Sequence, residues 1–258
     1  MNNFFSLRRF LRLFVKHTAE HYRTYLMSVA VLAGVMLLGG WFLYFIILDA
    51  PDAGLQTAIF VILMLIAGTI FTSTVFSDFG DKGKAVNALT LPATSFEKFL
   101  VGWVYSYPIF LVVYTAVFYL VSWGLGATRH WGPNQHFTSL DLQQGGKYMV
   151  FIVFSILHAI TLFGAIFFNK LQFIKTGFAF FIAYAAAMIC NTLLLKLLTG
   201  LSTVKPAMPF GYLNFDISGK YYSIAVMGGA SWVVVIIMVL STLAIWTAAY
   251  YRLKEKQV

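Results

Sequence analysis

The sequence predicts an all-α integral membrane protein: six transmembrane helices preceded by an amphipathic interfacial helix, with both termini cytoplasmic. Three observations carry that prediction. Hydrophobic residues make up 60% of the 258 and charged residues only 10%, whereas a soluble domain carries about 25% charge. Mean hydropathy is +0.81. Apolar stretches long enough to cross a hydrocarbon core, about 20 helical residues, recur six times.

The first 24 residues place Phe4, Leu7, Leu11, Phe14 and Val15 at helical spacing, with Arg8, Arg9, Arg12 and Lys16 between them. That pattern predicts a membrane-interface helix over 1–24, its aromatic face in the acyl boundary and its cations at lipid phosphates. Residues 25–258 then read as one membrane domain. Its spans are Tyr25–Leu48, Leu55–Phe76, Phe99–Leu125, Met149–Phe168, Phe178–Leu198 and Ser231–Tyr251. Only the fifth contains a formal charge, Lys196, near one end, where a long stem carries the ammonium to the interface. Asp49–Gly54 joins the first two spans as a short turn.

The next connection, 77–98, is the most polar part of the chain. A short helical stretch leads to Pro92, and Thr94-Ser95-Phe96-Glu97 has the form of a capping box that starts the third span. The last connection, 200–230, is too apolar for a solvated loop and too interrupted by Pro206 and Pro209 for a span. Short re-entrant helices dipping into the outer leaflet are expected there. The 18 Lys and Arg against 9 acids give a net charge of +9. With the amino terminus inside, most of these cations fall on the cytoplasmic side, the bias of a membrane protein and not a nucleic-acid footprint.

Chemistry-bearing patterns are few. His17-Thr18-Ala19-Glu20-His21 has the H-x-x-E-H form that can hold zinc, but a zinc site needs a third protein ligand and no second motif offers one. No metal site is expected. His158 is a possible intramembrane polar site, the bland alternative being a neutral imidazole bonded to a neighbouring helix. No catalytic set stands out. The Gly-Lys pairs at Gly83, Gly146 and Gly219 do not complete a phosphate-binding loop. The single cysteine, Cys190, excludes an intramolecular disulfide.

The run Phe76-Ser77-Asp78-Phe79-Gly80-Asp81-Lys82-Gly83-Lys84, followed by Ala88-Leu89-Thr90-Leu91-Pro92-Ala93-Thr94-Ser95-Phe96-Glu97-Lys98-Phe99-Leu100, resembles ABC-2-type transporter permeases, especially those of Bacteroidota. The resemblance covers about a tenth of the chain and is matched by the expected architecture. It implies the membrane subunit of an ATP-driven exporter in a bacterial inner membrane. In that family a coupling helix between spans two and three fits a cleft on a separate ATPase subunit. Here Asp81, Lys82 and Lys84 would orient the contact, and Val86, Leu89, Leu91 and Pro92 would anchor it. The glutamate-rich stretch of many relatives is missing. The resemblance further implies a second permease copy or paralogue, a lipid environment, and ATP with Mg on the partner ATPase and not on this chain. Two other readings remain open at this level: a membrane scaffold or sensor subunit without transport, and an intramembrane metal-dependent enzyme.

Overall fold

The structure, a computed structural model, describes residues 5–46, 53–80, 93–128, 139–142, 149–217, 219–224 and 231–256, without the side chains of 41, 43–46, 78, 80 and 231. Six helices among them are long and apolar enough to cross a membrane. They are α1 (Leu7–Ile46), α2 (Ala53–Gly80), α3 (Ser95–Thr128), α4 (Met149–Phe167), α5 (Gln172–Thr199) and α6 (Ser231–Glu255). An antiparallel pair, β1 (Leu213–Ile217) and β2 (Lys220–Ile224), lies between α5 and α6.

The amino-terminal segment departs from expectation. No separate interfacial helix forms: α1 runs for 40 residues without a break at Tyr25. At 1.5 Å per residue it is about 60 Å long, roughly twice a hydrocarbon core. Of the face expected in lipid, Phe14 packs on α3 instead, while Leu7, Leu11 and Val15 stay exposed. Phe5 meets Phe96 edge-on at 6.0 Å, Phe14 stacks on Tyr105 at 4.8 Å, and Tyr25 stacks on Tyr105 at 5.1 Å. From Phe5 on Phe96 to Phe14 on Tyr105 the contacts advance along both helices together, so α1 and α3 lie parallel. Packing Phe5, Phe14 and Tyr25 on α3 keeps the segment in line with the span that follows it.

Helix α3 begins as the sequence predicts. Thr94 Oγ1 accepts from the Glu97 N–H at 3.2 Å, and Glu97 Oε2 accepts from the Thr94 N–H at 3.0 Å. Midway, Tyr105–Ile109 widens into one π-helical turn containing Pro108. Proline has no N–H to donate one turn back, and the wider turn accommodates the ring that would otherwise press on the preceding carbonyl.

Helix α4 is the centre of the bundle, packed on α2, α5 and α6. Close approach requires glycine at two points. A Cβ at Gly68 would lie 2.2 Å from Phe154 Cε2, and one at Gly164 would lie 1.9 Å from Thr176 Oγ1. Two apolar clusters form the core. One, around Phe76, Phe99, Leu162, Ile166 and Leu253, sits where α2 ends and α3 begins. The other, around Phe60, Met64, Phe110, Tyr114 and Phe154, lies farther along the bundle.

The connection after α5 holds no helix among its described residues, contrary to the expected short re-entrant helices. Gly200 ends α5 in the left-handed region, φ +69°, with its N–H on the Lys196 carbonyl, a glycine-ended stop. The chain then folds back along α5. Asn191 Nδ2 donates to the Ala207 carbonyl at 2.9 Å, and the Ala207 N–H donates to Thr192 Oγ1 at 3.1 Å. Asn191 stands about 12 Å back along α5 from Thr199. Non-helical backbone at that depth needs its polar groups satisfied, and two side chains of α5 satisfy both for Ala207. β1 and β2 follow in register Leu213 to Ile224, tied by Lys205 to Asp216 at 3.5 Å.

Candidate functional site

Where α2 ends and α3 begins, the two flanks of the intervening loop are held by different parts of the chain. On the α3 flank the centre is Glu97, fully buried. One carboxylate oxygen closes the capping box of α3. The other accepts from the Ser6 N–H at 2.8 Å, from Arg9 Nε at 3.2 Å and from Arg9 Nη2 at 3.1 Å. Ser6 opens α1, so one negative charge sits at the amino-terminal ends of two parallel helices, where both dipoles favour an anion. The guanidinium of Arg9, half-buried, neutralises it.

On the α2 flank the ties are carbonyl caps. Gln172 Nε2 donates to the Ser77 carbonyl at 3.1 Å. Lys256 Nζ donates to the carbonyls of Phe79 at 3.2 Å and Ile166 at 2.5 Å, near the last residues of α2 and α4. A cation at two helix carboxyl ends is the favourable dipole arrangement. Burial, and secondarily the charge of Arg252, push the Lys256 ammonium below its ordinary pKa. Ser6 and Lys256 therefore lie at the same end of the bundle.

Deeper in, the π-turn of α3 aims three consecutive polar side chains at its neighbours. Tyr105 turns to α1, where it stacks among Phe14, His17 and Tyr25 and its hydroxyl bonds Thr18 Oγ1. Ser106 and Tyr107 turn to α4: Ser106 Oγ lies 2.9 Å from His158 Nε2, and Tyr107 Oη lies 2.6 Å from Ser155 Oγ. From α6, Trp246 Nε1–H donates to His158 Nδ1 at 3.1 Å. An indole nitrogen can only donate, so Nδ1 of His158 carries no proton. The imidazole is therefore neutral, with its proton on Nε2 and donated to Ser106 Oγ. His158 is fully buried, and both ring nitrogens are satisfied by α3 and α6. The intramembrane polar site expected there is thus a three-helix joint with a defined tautomer.

The H-x-x-E-H string lies on α1 beside this joint. His21 Nδ1 donates to the His17 carbonyl at 3.1 Å, and His17 Nε2 lies 2.5 Å from the Tyr25 hydroxyl. Glu20 pairs with Lys16 at 3.7 Å. Among the described residues no group of three or more His, Cys, Asp or Glu could hold a metal ion. Of the four cations assigned to the membrane interface, Arg8, Arg12 and Lys16 are exposed, while Arg9 is drawn in to Glu97. Asp81, Lys82, Lys84, Val86, Leu89, Leu91 and Pro92, the residues assigned to ATPase coupling, lie outside the described residues.

Several parts of this arrangement escape the sequence reading. Pro108 inside an apolar run was the available signal for a distorted turn. Glu97 was legible as a cap, but not as the anchor of α1. Nothing local marks Lys256, Gln172 or Trp246. The chain matches no protein-family profile, no curated protein and no solved structure.

Proposed function

We propose that this chain is the membrane subunit of an ATP-driven exporter of the ABC-2 type, resident in a bacterial inner membrane. A separate ATPase, carrying ATP and Mg, docks on the loop after α2 through Asp81, Lys82, Lys84, Val86, Leu89, Leu91 and Pro92. A second copy or a paralogue completes the pathway. The cargo is amphipathic or hydrophobic, because the six spans contain almost no formal charge. The chain itself has the transport role and no ATPase site.

The observation that carries this reading is the run from Phe76 to Leu100, with its family-like charge pattern and leucine-proline turn. Its setting adds support. Lys256 and Gln172 hold one flank of that loop, and Glu97 with Ser6 and Arg9 holds the other. A loop that receives force from a partner needs firm attachments to the helices it moves.

The test is affinity purification of the tagged protein from native membranes in mild detergent, with mass spectrometry of what is retained. An ABC-type ATPase in near-equal amount is expected, and a second permease alongside it marks a heterodimer. A folded protein that retains no ATPase overturns the transport reading in favour of a scaffold or sensor subunit.

A further inference from the structure

The first half of α1 has an outward surface that the fold leaves uncovered. Leu7, Leu11 and Val15 are 61%, 52% and 65% exposed. Each is followed directly by a cation, Arg8, Arg12 and Lys16, and these are exposed too. Adjacent helical residues differ by about 100° around the axis and residues four apart nearly align. The result is two stripes side by side, one apolar and one cationic, with successive cations about 6 Å apart along the axis. Glu20, paired with Lys16, is the one acid in the first 24 residues. Arg8 and Arg12 make no hydrogen bond or ion pair among the described residues.

We propose that this double stripe is a binding site for anionic phospholipid, with acyl chains against Leu7, Leu11 and Val15 and headgroup phosphates on Arg8, Arg12 and Lys16. The partner must be both apolar and anionic, which is the chemistry of such a lipid. Continuity selects lipid over an acidic protein. The exposed apolar surface of α1 runs on along the same face through Tyr22, Leu26 and Leu37, into the part of the helix apolar enough to sit in hydrocarbon. The site differs from the interface helix the sequence suggests, because Phe14 packs on Tyr105 of α3 and Arg9 belongs to Glu97. The inference rests on the membrane-spanning reading and not on ATP-driven transport.

The test uses full-length protein in vesicles and a bimane label one turn beyond Val15 on the apolar stripe, beside the cations, at Ala19→Cys in a Cys190→Ser background. Quenching is compared for brominated phosphatidylglycerol and brominated phosphatidylcholine. A control label sits at Ile182→Cys on the exposed face of α5. At position 19 the expected preference for phosphatidylglycerol is about tenfold, given the attraction each cation near a bilayer surface supplies. It should fall to about twofold in Arg8→Gln/Arg12→Gln and at high salt, and Arg8→Lys/Arg12→Lys should retain most of it. Position 182 should show no preference, and its unchanged quenching verifies that the glutamine variant is folded. Equal quenching by the two lipids at position 19 overturns the proposal, as does a preference that survives the glutamine substitutions. Loss of a co-purifying acidic protein without any lipid preference overturns it in favour of a protein partner. Because this readout needs no ATPase, its failure is separable from failure of the exporter reading.

Discussion

Glu97→Gln is the sharpest perturbation of the joint between α1 and α3. The carboxylate uses both oxygens: Oε2 serves the Thr94 N–H of α3, and Oε1 serves the Ser6 N–H of α1 together with Arg9. An amide of the same shape has one acceptor oxygen. Glutamine can therefore keep the capping box or receive α1, but not both, and its NH₂ then faces a donor. Hydrogen bonds to a charged group are worth about 1.5–3 kcal/mol each, and removing one partner of a buried pair costs about 3–5 kcal/mol. Arg9 is 31% exposed and can turn to water, which brings the expected loss to about 2 kcal/mol. Two measurements check it: reversible unfolding in mixed micelles, and hydrogen exchange of the Ser6–Phe14 amides. A local opening made easier by about 2 kcal/mol speeds exchange roughly thirtyfold, while the amides of α4 stay protected. Unfolding within 0.5 kcal/mol of wild type, with unchanged exchange at the start of α1, would refute the shared-carboxylate argument.

Other perturbations report on other joints. Ser106→Ala removes the acceptor for the His158 Nε2–H and should cost about 1–3 kcal/mol. His158→Phe in that background should recover part of the loss, and a cycle showing no coupling between the two positions rejects the tautomer assigned here. Gly164→Ala forces a methyl into Thr176 and should destabilise the bundle by about 1–3 kcal/mol; a neutral result would show that α4 and α5 are not in close contact. Leu89→Asp should abolish substrate-stimulated ATPase activity of the assembled complex while the chain still folds, and unchanged stimulation would remove Leu89 from the coupling surface.

What the sequence alone determined is what local interactions determine. A span is legible because about 20 consecutive apolar residues suffice to define it, and all six spans recur as long apolar helices. The capping box was legible because Thr94 and Glu97 are one turn apart. Tertiary structure decided the rest. Whether residues 7–24 lie apart from the first span or continue it depends on α3, which offers Tyr105 to Phe14 and His17. After α5 the chain folds back because Asn191 and Thr192 supply the bonds that Ala207 would otherwise find in a helix, and the strands beyond it pair with each other. Glu97 meets Ser6 across 91 positions, and His158 meets Ser106 and Trp246 across 52 and 88. No periodicity within a window reports pairs that distant. A polar side chain in an apolar helix has a strong need for a partner, which the sequence displays, but the identity of that partner is fixed only when the helices dock.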